Sequence, residues 1–262
     1  YRKDGLVVIG VHTPEFAFEH VYKNVAAAVA SLGIKYPVVL DNEYQTWNAY
    51  GNQFWPRKYL IDIDGYIVYD HIGEGNYDET EKAILHALDE RALRLGQPLP
   101  SGDITPPPDA VSMDPNGVQS PETYFGSNRN EYLVNGSEGR EGTQTLKIPA
   151  EIQPNGLYLG GTWQFTPEYA TNISAGAQIR FLYSAKNVYF VASSDKPIKI
   201  KVTRDGGQPL GDERGVDVDA NDEATIHEDR LYKLIEGKAY GVHTLEIQIE
   251  GTGLDAYTFT FG

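Results

Sequence analysis

The sequence predicts an α/β domain followed by an all-β sandwich, and three observations carry that reading. Residues 5–95 alternate apolar runs of strand length with helical stripes, and residues 97–117 are rich in proline. Beyond them the apolar positions recur at every second residue. The expected boundaries are therefore 1–96 for the α/β domain, 97–117 for a linker and 118–262 for the sandwich. A chain of 262 residues is long enough for both to have their own core.

The run Gly5-Leu6-Val7-Val8-Ile9-Gly10-Val11 has the continuous apolar pattern of a strand buried on both faces. Thr13 is placed to cap a following helix, Pro14 suits its first position, and Glu15 favours the positive end of the helix dipole. Phe16, Val21, Val25, Ala28, Val29 and Leu32 supply a helical stripe, and Gly33 a stop. Residues 36–40 predict a short strand and 42–50 a short helix ended by Gly51. Pro56 then opens a strand, a position where its missing N–H does no harm, and Asp64-Gly65 turns the chain back into a second strand at 66–69. Residues 78–95 predict the closing helix, with Ala83, Ile84, Ala87, Leu88 and Leu95 toward the sheet and Gly96 ending it.

Pro98, Pro100, Pro106, Pro107, Pro108 and Pro115 predict a stiff, extended connector. Past it, Ile198, Ile200 and Val202 alternate with polar residues, as do Leu245, Ile247 and Ile249. Further strands are predicted at 145–148, 178–183, 188–192 and 256–261, with a hairpin turn at Asp205-Gly206-Gly207. Many short strands between Gly, Pro and Asn turns indicate a jelly-roll-like antiparallel sandwich.

Composition excludes several functions. The formal net charge is −15, with 15 acidic and 9 basic residues in 1–105 and 22 and 13 beyond, so neither part suits a polyanion and no nucleic-acid partner is expected. No apolar run approaches the roughly 20 residues that span a bilayer. There is no cysteine, hence no thiol nucleophile, disulfide or thiolate metal site within these residues. The first residue is Tyr1 and no signal-peptide pattern follows, so a processed product or a fragment is expected. No Ser-His-Asp arrangement, phosphate loop, glycosidase carboxylate pair or His-rich cluster stands out, and neither cofactor nor metal is expected. Asp217, Asp219, Asn221 and Glu228 fall at positions 1, 3, 5 and 12 of an EF-hand-like spacing, but Asp222 stands where the loop needs glycine. A solvated acidic loop is the simpler reading.

The stretch from Gly5 through His12-Thr13-Pro14-Glu15 to Phe16, with Trp55-Pro56-Arg57 and Tyr59-Leu60-Ile61-Asp62 before Gly65, resembles the thioredoxin superfamily. More narrowly it resembles the TlpA-like thioredoxin domain of bacterial DipZ-type proteins. Tyr158-Leu159-Gly160-Gly161-Thr162-Trp163 and Ala256-Tyr257-Thr258-Phe259 are similar to the carbohydrate-binding-module-like domain that follows it there. The resemblance covers nearly the whole chain and implies an α/β thioredoxin-like domain, N-terminally truncated, followed by the sandwich. It implies thiol-disulfide exchange with protein dithiols and disulfides on the extracytoplasmic side, tethered through an upstream membrane segment related to the CcdA and DsbD electron carriers. The family's Cys-x-x-Cys helix corresponds to sequence upstream of Tyr1, so the chain by itself is expected to be catalytically incompetent. Without that central strand its neighbours are expected to expose edge groups and apolar faces, leaving the α/β part poorly stable unless another segment fills the gap.

The resemblance assigns Pro56 to the family's cis-proline substrate loop and sets Trp55 beside the substrate groove, the alternative for Trp55 being a core aromatic. His12 and Glu15 fall at the active-site face, Glu15 either tuning the dithiol or acting as a helix-terminus carboxylate. Tyr158, Trp163 and Tyr169, with Tyr124 and Tyr132, are candidates for glycan contact, against an ordinary role in the sandwich core. The leading expectation is a fragment of a thiol-disulfide oxidoreductase. The alternative is a non-catalytic module, binding glycan or protein, on a degenerate thioredoxin scaffold.

Overall fold

The apolar run at 5–11 forms a strand only at its end. In the computed structural model, which describes residues 1–100 and 117–262, β1 is Gly10–His12. Val7, Val8 and Ile9 are not buried on both faces but are 75, 47 and 59% exposed. A strand is covered on both sides only inside a sheet flanked by helices, and β1 has a single partner, the parallel β2 (Val38–Leu40), paired from Gly10–Val38 to His12–Leu40.

The helix expected at Thr13 begins later. A 3-10 turn at Ala17–His20 precedes α1 (Tyr22–Ser31). The carboxylate that serves its start is Glu19, which accepts the backbone N–H groups of Glu15 (2.6 Å) and Phe16 (3.2 Å) as in half a capping box. Phe16 is buried, whereas Leu32 of the expected stripe is exposed. Gly33 ends the helix in the left-handed region (φ 64°), where glycine carries no Cβ penalty.

Next come α2 (Gln45–Ala49), the antiparallel pair β3 (Arg57–Ile61) and β4 (Ile67–Ile72), and α3 (Tyr77–Leu95), closed by Gly96. Leu88 and Ala92 are the buried residues of α3, while Leu95 is half exposed in its last turn. The strand and helix order is the expected one, but the strands form two separate two-stranded sheets, β1-β2 and β3-β4. Residues 97–100 carry no regular secondary structure, and the rest of the expected connector up to residue 116, with Pro106, Pro107, Pro108 and Pro115, lies outside the described residues.

The chain divides into two units, Tyr1–Met113 and Asp114–Gly262. The second is all-β: β5 (Thr123–Tyr124), β6 (Gly142–Leu146), β7 (Leu157–Phe165), β8 (Ala170–Asn172), β9 (Gln178–Ser194), β10 (Ile198–Arg204), β11 (Glu223–Ile226), β12 (Arg230–Ile249) and β13 (Leu254–Phe261). They form one nine-stranded sheet in the order β11-β10-β12-β9-β13-β8-β7-β6, with β5 on β13. β7 also pairs with β9, so β9, β13, β8 and β7 close on themselves as a small barrel. Two strands expected at 178–183 and 188–192 are one continuous β9. Alternation holds: Ile198, Ile200, Val202, Leu245, Ile247 and Ile249 are all buried.

The units differ sharply in burial. Among the described residues, the first buries four apolar side chains, Phe16, Val25, Leu88 and Ala92, and the second thirty-three. At about 25 cal/mol per Å² of apolar surface removed from water, this asymmetry places most of the hydrophobic stabilisation in the β unit. Native-state hydrogen exchange is expected to be slowest in β9 and β12 and much faster in β1 to β4; equal protection in both units would contradict the burial pattern. Trp163, fully buried, is expected to cost about 3–5 kcal/mol on substitution by alanine, read from urea unfolding of the β unit by far-UV circular dichroism.

Candidate functional site

Where β1 ends, the chain enters the corner His12-Thr13-Pro14-Glu15, and several distant segments meet there. Asp41 extends the β1-β2 ladder, its N–H donating to the His12 carbonyl at 2.8 Å. The Trp55 indole Nε1–H donates to the Thr13 carbonyl at 3.1 Å, and the Tyr44 hydroxyl donates to the Pro14 carbonyl. Trp55 also stacks on Trp47, ring centroids 4.2 Å apart and planes tilted by 36°. The Trp55-Pro56 peptide bond is cis. Trp55 remains 49% exposed, so it is neither a core residue nor a free one, and Pro56 is exposed beside it.

His12 lies at the rim of this corner, its Nε2 within 3.1 Å of the Glu19 carbonyl oxygen. Glu15 is half-buried and precedes the 3-10 turn instead of sitting in the first turn of a helix, which corrects the expected helix-terminus role; Glu19 fills it. Thr13 is likewise no helix cap. Its buried hydroxyl donates to Asp41 Oδ2 at 3.2 Å.

Asp41 is the residue that sequence reasoning missed. Its Oδ1 accepts the Thr46 N–H and its Oδ2 the Trp47 N–H, both at 2.8 Å, so it serves the first turn of α2 from four positions before that helix. An Asp directly after an apolar strand and before a helix was the available signal; its distance from Gln45 hid it. Burial disfavours the charged carboxylate, but the backbone N–H groups of Thr46 and Trp47, with the Thr13 and Thr46 hydroxyls, favour it more. The carboxyl is consequently held below its ordinary value of 3.8.

In the β unit, Trp163 and Tyr158 correct the expectation of glycan contact. Trp163 has no exposed surface and donates its indole N–H to the Gly160 carbonyl at 3.0 Å; Tyr158 is 3% exposed, its hydroxyl accepting the Gln153 N–H. A ring enclosed on both faces has none left for a sugar. Tyr169 is half-buried against Tyr257 at 5.0 Å, and Tyr124 lies under the Arg129 guanidinium at 3.7 Å. Tyr132 packs partly buried on the core.

The acidic loop spends its oxygens internally. Asp217 pairs with Arg230 (2.8 Å), Asp219 accepts the Asn221 and Glu223 N–H groups, and the buried Asp222 accepts that of Leu210. Among the described residues no group of three or more His, Asp or Glu is placed to hold a metal ion.

What the corner at Trp55 offers chemically is an exposed aromatic wall, an exposed cis-proline loop and the imidazole of His12. It offers no sulfur nucleophile. Because the folded carboxyl of Asp41 lies below its unfolded value, its stabilising contribution is complete above about pH 3.8 and is lost as pH falls through the folded value. Asp41→Asn is expected to destabilise the first unit by about 1 kcal/mol at neutral pH, with the gap closing in acid. A difference in stability that stayed constant with pH would contradict this assignment.

Comparison with known proteins adds the family. The family model described as a thioredoxin like C-terminal domain matches residues 120–262. Protein DipZ of Mycobacterium tuberculosis is 35% identical over 262 residues, covering all of this chain and 35% of that protein. NHL repeat-containing protein 2 of Homo sapiens is 32% identical over 96 residues, 35% of this chain and 13% of that protein. Among solved structures, a family two carbohydrate esterase from Clostridium thermocellum in complex with cellohexaose matches with a TM-score of 0.34 and 18% identity, over 41% of this chain and 31% of that one. The chain spans about a third of the length of the DipZ proteins it matches. Matched over more than half its length by the family model and along all of it by DipZ, the chain is DipZ-like and belongs to the family of the thioredoxin-like C-terminal domain.

Proposed function

We propose that this chain is the substrate-facing part of an extracytoplasmic thiol-disulfide oxidoreductase of the DipZ kind, a thioredoxin-like α/β unit joined to a jelly-roll-like sandwich. The observation that carries the reading is the Trp55-Pro56 loop, exposed and yet tied through the Trp55 indole to the Thr13 carbonyl at the end of β1. Such a loop presents backbone groups and an aromatic face to an extended peptide beside a disulfide.

With no cysteine in these residues, the attacking thiolate belongs to a dithiol carried elsewhere in the whole protein. That thiolate attacks a substrate sulfur and forms a mixed disulfide; the second thiol resolves it, releasing the reduced substrate and leaving the dithiol oxidised. An electron carrier in the membrane, reached through an upstream segment, then restores the dithiol. The partners are proteins with exchangeable disulfides, and the sandwich holds the unit to a glycan or to another protein. Among the described residues no helix is long and apolar enough to cross a membrane.

The test is to express the chain alone and with its upstream coding sequence, and to follow reduction of insulin disulfides. The 262-residue chain is expected to be inert and the extended protein active, with Trp55→Ala in the latter lowering kcat/KM roughly tenfold, about 1.4 kcal/mol of transition-state binding. An extended reading frame without a Cys-x-x-Cys, or an extended protein without exchange activity, would favour the alternative, a non-catalytic binding module on this scaffold.

A further inference from the structure

We infer that Asp41 is a positioning residue for the substrate loop, because one buried carboxylate organises both attachments that fix Trp55. Trp55 is held by a hydrogen bond to the Thr13 carbonyl and by stacking on Trp47. Asp41 Oδ2 accepts both the Thr13 hydroxyl (3.2 Å) and the Trp47 N–H (2.8 Å). The four residues therefore form a closed circuit, Asp41 to Trp47 to Trp55 to Thr13 and back.

The circuit has a physical purpose. An aromatic side chain with half its surface in water ordinarily samples several rotamers, and a substrate that meets it must freeze them. Here the ring is fixed before any substrate arrives, although the unit around it buries few apolar side chains. Hydrogen bonds to an ionised acceptor, stronger than neutral ones, take over part of the work that core packing does elsewhere. The carboxylate also has no donors of its own. Its two oxygens accept from Thr13, Thr46 and Trp47, and the near-isosteric Asn would turn an N–H₂ group toward at least one of those N–H or O–H donors.

This inference rests on the reading of the Trp55-Pro56 loop as substrate-contacting, but its test needs no redox activity. The chain has three tryptophans, Trp47 and Trp55 in the circuit and Trp163 buried in the other unit, so the three indole N–H resonances form a probe with its own reference. In Asp41→Asn the Trp55 indole N–H is expected to exchange with solvent at least about tenfold faster, while Trp163 is unchanged. The near-ultraviolet circular dichroism couplet of the Trp47-Trp55 stack is expected to weaken with it. Wild-type Trp55 exchange in Asp41→Asn would overturn the inference. If that variant does not fold in its first unit, Thr13→Val takes its place. It removes one hydroxyl from the circuit and is expected to speed Trp55 exchange by roughly threefold, and an unchanged rate overturns the inference equally. Lack of insulin reduction by the extended wild-type protein would instead count against the oxidoreductase reading and leave the indole result standing.

Discussion

Every buried backbone N–H and C=O needs a partner, and the way the α/β unit meets this constraint governs the rest of its structure. Its strands pair as two separate couples, β1 with β2 and β3 with β4, instead of as one continuous sheet. A central strand has two neighbours and lets helices cover both faces; a strand in a couple has one neighbour and a free edge. The exposure of Val7, Val8 and Ile9 before β1, of Val11 within it, and of Ile61 and Ile67 in β3 and β4, follows from that arrangement. The Trp55-Pro56 loop lies at the entrance to β3, and the Thr13 corner at the exit from β1. The indole hydrogen bond between them is a direct tie between the two couples.

The β unit meets the same constraint in the opposite way. Its nine strands form one sheet, with β9 flanked by β12, β13 and β7, and the apolar positions of each strand turn to a common interior. Phe125, Phe181, Phe190 and Phe259 meet there with centroids 4.9 to 6.1 Å apart. Burial of this kind is non-directional, so the core tolerates irregularities such as the register shifts in β12 and β13. In the first unit, where little is buried, directional contacts have greater weight. Asp41 is the clearest case, a carboxylate whose two oxygens both accept hydrogen bonds and so join the end of β1, α2 and, through Trp47, the Trp55-Pro56 loop.

Much of the chain was legible in its sequence. Each strand of the α/β unit lay within or beside an apolar run, and the glycines at 33, 51, 65 and 96 mark element ends because their backbones take positive φ. The alternation in β10 and β12 is visible in the residues themselves, as is the family resemblance through Trp55 and Pro56. A residue's surroundings are not carried by its local pattern. The 5–11 run has the pattern of a doubly buried strand, but the neighbours that would bury it are not part of the run. A Thr-Pro-Glu sequence suits a helix start at Glu15, but Glu19 accepts the N–H groups of Glu15 and Phe16 and the helix begins at Tyr22.

The aromatic residues show the division most plainly. By sequence, Trp55 and Trp163 are both candidates for a binding surface; in the fold one is half exposed and the other enclosed. The sequence by itself determined the order of strands and helices in the α/β unit and the alternation of β10 and β12, since periodicity, proline and glycine act over a few residues. The tertiary structure alone decided which tryptophan meets solvent and which carboxylate anchors the site. Those outcomes depend on partners far apart in the chain: Thr13 and Asp41 are separated by 28 residues, and Trp55 and Thr13 by 42. Burial and hydrogen-bond geometry are properties of that meeting, and no local pattern encodes them.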